Sequence, residues 1–344
     1  MGLLSLFKKS DKTSSETLSD IHAGFMGKIP TRPDFVRHQA GTPEIGQIDQ
    51  WIHEGIAYLA RRFPSDWKDR LDGFSRIRCY IAGEGNIPSL CGLIRPSQDK
   101  SGRQHPFMDF VTCPNTQIIP SLPFVALRFA AFYARSGKLR TQNGDDLDID
   151  GLVQQSNVLA RLVPPFSESA LLQQKNENWV GRTSSEFWET ILPGKGGMAR
   201  LNFARDILQT LKMAANRGPE RIAWGIRLPI AQGPAGNALV SFWLSLFVGV
   251  LGNHKWRPHV FWNPESKGAP SLTVYFRPPN TSSFAQLICP EVDEGGVVDV
   301  VRRPLEYLPE ITSLHLKKIV VSSTLTWSEL LESWLKGGEH ERSN

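Results

Sequence analysis

Apolar positions recur at spacings of three and four from residue 45: Ile45, Ile48, Ile52, Ile56 and Leu59 form one stripe, with Trp51 beside it, the signature of an amphipathic helix. Thr42-Pro43-Glu44 opens it: Thr42 suits a cap, Pro43 the first turn and Glu44 the positive end of the helix dipole. Before it, GFMGKIP (24–30) reads as a short strand running into a loop where Pro30 and Pro33 forbid helix. After it, SDWKDRL (65–71) reads as a helical turn. The apolar runs SRIRCYIA (75–82), SLCGLIRP (89–96) and HPFMDFVTC (105–113) then read as strands of a meander. The first alternates, with Ile77, Cys79 and Ile81 on one face and Arg76 and Arg78 on the other. SLPFVALRFAAFYAR (121–135) has helical composition. The N-terminal part is therefore expected to be α+β, a small antiparallel sheet with helices on one side.

The middle of the chain reads as helical over 152–176 and 199–215, broken at PGKGG (193–197). Structure then becomes mixed α/β: a strand at RIAWGIRLP (221–229), a buried helix over 236–252, short strands at HVFW (259–262) and SLTVYF (271–276), and a helical turn at SFAQLI. A late strand follows at LKKIVV (316–321), and a closing helix at TWSELLESWL (326–335) with Thr326 as its cap. The expected divisions are a disordered polar tail over 1–20, an N-terminal domain over 21–136, a mostly helical insertion or connector over 137–220, and a mixed α/β part over 221–344.

Composition narrows the function classes. With 40% hydrophobic and 21% charged residues the chain can build a core. Ten Trp and eighteen Phe provide large anchors for it, or for a partner surface. The formal charge of +5 is spread through segments such as 61–78, where Arg and Lys alternate with Asp66, Asp69 and Asp72. That mixture describes a solvated surface, and no nucleic-acid-binding motif accompanies it. Cys79, Cys91, Cys113 and Cys289 form no C-x-x-C pair, which favours a reducing compartment. MGLLSLFKK has its lysines after its apolar residues, the reverse of a secretory signal. The uncharged run Ala238–Leu251 is shorter than a membrane span and reads as a core helix.

Signatures of chemistry are sparse. The phosphate-loop, dinucleotide, nucleophile-elbow and H-E-x-x-H motifs are missing, and Gly194–Gly197 reads as an interhelical turn. Asp146, Asp148, Asp150 and Gly151 imitate the start of a calcium loop, but Asn157 stands where the bidentate acid is needed. His105 and His259 read as core or edge residues. No catalytic residue, metal ligand or cofactor is assigned.

Two polar segments remain unusual: Gly27-Lys28-Ile29-Pro30-Thr31-Arg32-Pro33-Asp34-Phe35-Val36-Arg37, and Arg95 to Phe107 (RPSQDKSGRQHPF). The second reads as a hairpin connection with Asp99 and Gly102 at the turn. Asp34 and Arg103 have the chemistry for a charge-assisted pair clamping the two segments. That structural use and a partner-binding role both fit the residues. As candidates for partner binding we single out Lys28, Arg32, Asp34, Arg37, Ser97, Asp99 and Arg103.

These same segments carry a resemblance. Gly24, Gly27, Lys28, Pro30, Asp34, Phe35, Val36 and Arg37, followed by Pro96, Ser97, Asp99, Gly102, Arg103, Pro106 and Phe107, resemble the TagF family (also called ImpM) of type VI secretion systems. The match spans about residues 24–130, with Trp51-Ile52 and Pro64-Ser65-Asp66-Trp67 between the blocks. Pro33 departs from the Gly usual before that Asp. Trp256 to Trp262 and Arg277-Pro278-Pro279 look like later family segments more loosely. The resemblance implies an α/β-type fold and a cytoplasmic, non-enzymatic accessory protein. It further implies post-translational repression of the secretion apparatus by binding its forkhead-associated scaffold protein. Some relatives are fused to a PP2C-type phosphatase domain, whose D-G-x-x-G and paired Asp segments this chain lacks. A hydrolase or phosphatase with another site is the alternative.

Overall fold

The structure, a computed structural model, describes residues 21–138, 146–252, 256–266, 269–292, 296–300 and 319–339. The tail expected over 1–20 lies outside them, as do parts of the acidic loop at 144–151 and of the strand expected over 316–321. Of that strand the described residues 319–321 are helical.

Among the described residues the nine strands are β1 (His22–Gly27), β2 (Val36–His38), β3 (Ile77–Ile81), β4 (Ser89–Arg95), β5 (Phe107–Cys113), β6 (Gly225–Pro229), β7 (His259–Trp262), β8 (Ser271–Tyr275) and β9 (Val297–Asp299). They make one sheet in the order β2-β1-β5-β4-β3-β7-β8-β6-β9. The pairings are antiparallel, except that β6 runs parallel to β9. The N-terminal meander and the C-terminal strands meet where β3 pairs with β7, Cys79 opposite Phe261. The α+β reading holds, and the sheet runs through both halves of the chain.

Helices are α1 (Pro43–Arg62), α2 (Trp67–Gly73), the short α3 (Asn115–Ile118), α4 (Val125–Arg128) and α5 (Ala130–Arg135), then α6 (Ile149–Arg161), α7 (Glu168–Trp179), α8 (Ser184–Ile191), α9 (Gly197–Arg217), α10 (Pro234–Leu251), α11 (Thr281–Ile288) and α12 (Trp327–Glu339). They cover both faces of the sheet, which corrects the expectation of helices on one side. The reason lies in the strands: every residue of β4 and β5 is buried, so neither face can be left to water. Ile77 and Cys79 face the side of α1, α2 and α11, whereas Tyr80 faces the larger core that contains α10. Arg78, expected on an open face, lies buried on that second side. It donates to Asn237 Oδ1 at 2.9 Å and Glu265 Oε1 at 3.0 Å, beneath the Tyr133 ring.

The stripe on α1 docks as its spacing implies. Ile45, Ile48, Ile52 and Leu59 are buried, each contributing roughly 1.5–3 kcal/mol of transfer free energy. Thr42 makes no side-chain cap, and Pro43 begins the helix. Helix α11 crosses α1 at Gly55, where an added Cβ would lie 2.5 Å from Phe284 Cβ. On the opposite face α10 is enclosed, with Phe242, Trp243, Leu244 and Phe247 at 0% exposure. It is long and apolar enough to cross a membrane, yet here it is the central core helix. Helices α7, α8, α9 and α12 pack around it through Trp179, Phe187, Trp188, Phe203, Trp327 and Trp334, so the helical middle of the chain shares the core of the sheet. The Thr326 cap of α12 forms as read: Glu329 N–H donates to Thr326 Oγ1 while Glu329 Oε2 accepts from Thr326 N–H.

Candidate functional site

The two unusual segments lie side by side at one end of the sheet, because β1 pairs with β5 and each strand runs into one of them. Gly27 ends β1, and Arg95 and Phe107, opposite each other on β4 and β5, form the base of the second. Within this hairpin, Asp99 accepts at its carbonyl from Gly102 N–H at 2.9 Å and donates its own N–H to Arg103 O at 3.0 Å. Gly102, at φ 77°, has the left-handed conformation that the turn requires. The hairpin is then tied to the first segment. Ser97 Oγ donates to Lys28 O at 2.6 Å, Lys100 N–H to Arg32 O at 2.9 Å, and the Arg103 guanidinium to Pro33 O.

Asp99 is the hub. Its side chain has no solvent exposure. Oδ1 accepts from the N–H groups of Ser101 and Arg103, both at 2.9 Å, and Oδ2 receives Arg103 Nε at 2.7 Å and Lys28 Nζ at 3.0 Å. Burial alone would raise this carboxyl's pKa; the hydrogen bonds from Arg103, Lys28 and Ser101 outweigh it and hold it well below the usual carboxylate range. A depressed acid pKa stabilises the fold above the unfolded value of about 3.9 and loses that contribution as pH falls below it. Asp99→Asn is therefore expected to flatten the acid limb of a melting-temperature profile taken below about pH 4. An unchanged acid limb would show that the carboxylate does not clamp the segments.

Of the candidate residues, the fold brings Lys28, Ser97, Asp99 and Arg103 into this one cluster. The expected Asp34–Arg103 pair does not form. Arg103 reaches Asp99, four residues away on its own turn, before any residue of the other segment, and touches that segment through the Pro33 carbonyl. Asp34 and Arg32 are exposed on its outer side. Arg37 stacks its guanidinium 4.8 Å from the Phe35 ring centroid and pairs with Asp49 of α1 at 2.5 Å. In the acidic motif Asp148 caps α6 by accepting from Gly151 N–H at 2.9 Å. Among the described residues no cluster of three or more metal-ligating side chains occurs.

Sequence reasoning missed what lies behind the clamp. An open groove of about 640 Å³ separates the segments from α1, walled by Lys28, Phe35, Arg37, Asp49, His53 and His105. His105 Nδ1 lies 2.9 Å from Pro106 O, its ring meets Phe35 edge-on, and burial pushes its pKa down. Asp49 and His53 sit on α1 off the apolar stripe, where local pattern announces only solvent. The clamp uses every oxygen lone pair of Asp99 in holding shape, and the exposed side chains Arg32, Asp34, Lys100 and Arg103 ride on the rigid surface that results.

Residues 24–155 match the family model described as TagF N-terminal domain, type VI secretion system-associated. Over these residues the chain is similar to TagF N-terminal domains. The TagF match begins at the Gly24 motif and ends at Gln155 within α6, so it contains both clamped segments, α1 and strands β2 to β5. The crystal structure of PA0076 from Pseudomonas aeruginosa PAO1 is similar over 79% of this chain and 96% of that chain, at 18% identity and a TM-score of 0.37. A search of curated proteins finds no match.

Proposed function

We propose that this type VI secretion-associated protein is a non-enzymatic, cytoplasmic regulator that represses the apparatus after translation by binding its forkhead-associated scaffold protein. The observation that carries this reading is the Asp99 clamp. Two motif segments of the TagF domain are locked into one preorganised surface, with charged side chains on its outside and the ionisable hub spent on structure. Preorganised surfaces lose little conformational entropy on association, which suits a partner-binding role.

Co-purification from cells holding the whole secretion cluster tests the reading directly, with the scaffold as the expected companion. An Arg32→Glu, Asp34→Lys variant, changed only at exposed positions, is expected to lose the scaffold in a pull-down while keeping its melting temperature. Full retention of the scaffold by that variant would remove these segments from the interface.

A further inference from the structure

A second concavity lies on the other flank of α1. Gly46, Asp49, Gln50 and His53 face the groove of the clamped segments, whereas Glu44, Gln47, Ile48 and Trp51 face a pocket of about 300 Å³. The two sets are separated by roughly half a turn around one helix axis. The far wall of the pocket is the β3–β4 hairpin, through Ile81, Ile87 and Leu90, and its floor and remaining side come from Phe261, Pro278 and Pro279 of the C-terminal half. Its shape is fixed. Trp51 Nε1 donates to Asn280 O at 2.9 Å, and the indole is braced by Phe261 and Phe284 at centroid distances of 5.3 and 5.4 Å. Ile87, 37% exposed, is one of the few large apolar side chains the described surface shows to solvent. His259 lines the pocket as a neutral ring, its pKa pushed down to about 4 by burial. The charged groups lining it are Glu44 and Glu84.

We propose that this pocket is an anchor site for the same protein partner that meets the clamped segments, taking one large apolar side chain with a Lys or Arg beside it. The inference rests on the binding role proposed above and extends it to a second contact. Two features of the fold select this occupant. First, a helix is only about 10–12 Å across, so a partner seated on the Arg32–Arg103 surface reaches the pocket within one interface of ordinary size, about 800 Å² per partner. Second, the charges are opposed on the two sides of α1. Arg32 and Lys100, with Arg103 paired to Asp99 and Asp34 the one exposed acid beside them, leave that surface net basic and call for an acidic patch, while Glu44 and Glu84 call for a base next to the anchor. A rigid aromatic wall with an acidic rim is the kind of site in which a single buried anchor dominates affinity.

The test is biolayer interferometry of the full chain on immobilised forkhead-associated scaffold. Ile87→Glu is expected to raise Kd at least roughly tenfold and Glu84→Lys at least about threefold, while Met198→Glu, 70% exposed on α9, leaves it within about twofold. Hydrogen exchange on the unmodified chain provides a measurement independent of any variant's folding: scaffold addition should protect residues 82–90 and the first two turns of α1. If the scaffold binds the chain but neither protects the 82–90 hairpin nor responds to Ile87→Glu, the anchor pocket is wrong and the binding role stands. If the scaffold does not bind the chain at all, the binding role fails and the anchor goes with it.

Discussion

Gly27→Ala is expected to destabilise the protein by roughly 2–6 kcal/mol, combining backbone strain with overpacking. At φ 131° this residue occupies backbone space that side-chain-bearing residues rarely visit. The space around it is also closed: a Cβ built there would lie 2.4 Å from Pro106 O and 2.6 Å from Phe107 Cα. Both obstacles are backbone atoms of β5 and its approach, so relief requires pulling β1 from β5. That pairing is what lays the Lys28 segment against the Asp99 hairpin, and the motif glycine therefore sets the distance across the clamp. Urea unfolding of the variant beside Gly46→Ala makes the comparison. Gly46 is exposed on α1 with no atom within 4 Å of a built Cβ, and its replacement should be neutral or mildly stabilising. A Gly27→Ala variant as stable as the parent would mean that β1 and β5 part easily and that the clamp is not held at their junction.

What the sequence makes legible here is whatever is decided within a few residues. The α1 stripe, the break between α8 and α9 at 193–197, the Thr326 cap and the Asp99–Gly102 turn all depend on neighbours, and all appear in the fold. The union of both chain halves in one sheet depends on β3 meeting β7, nearly 180 residues later, and long-range register leaves no local mark. Arg78 shows the consequence. An alternating strand reads as half-exposed, but once α10 and Tyr133 cover its second face the arginine needs Asn237 and Glu265, partners from distant segments. The candidate site divides along the same line. Lys28, Ser97, Asp99 and Arg103 are brought together much as their two motifs suggest. The Asp34–Arg103 pair fails because Asp99 is held beside Arg103 by its own turn and needs no loop closure to reach it. The Trp51 pocket draws its walls from α1, the β3–β4 hairpin, β7 and the 278–279 segment, and no contiguous stretch foreshadows it.

Asp109→Ala is expected to cost about 3–5 kcal/mol, the range for stripping a buried ion of its counter-charge. Asp109 is 1% exposed and Arg95 4%, on paired strands. Arg95 Nη2 lies 3.9 Å from Asp109 Oδ2, and its guanidinium sits 4.3 Å from the Phe107 ring centroid. Burial raises the Asp109 pKa against the pull of Arg95 and lowers that of Arg95 to about 10 against the pull of Asp109, so each charge is tolerated because the other is near. Asp109 Oδ2 also accepts from Ser136 Oγ at 3.1 Å and Gly137 N–H at 2.8 Å, anchoring the chain just beyond α5. An apolar pair, Arg95→Met with Asp109→Leu, removes both charges and should lose less than Asp109→Ala alone, since no ion is then left stranded. A denaturant double-mutant cycle measures the coupling, and simple additivity of the two changes would show that the charges do not support each other. The location gives the result functional weight. Arg95 and Phe107 are the last ladder pair before the Asp99 hairpin, so a β4–β5 end loosened by a stranded arginine should weaken the proposed scaffold binding without altering a single exposed side chain of that interface.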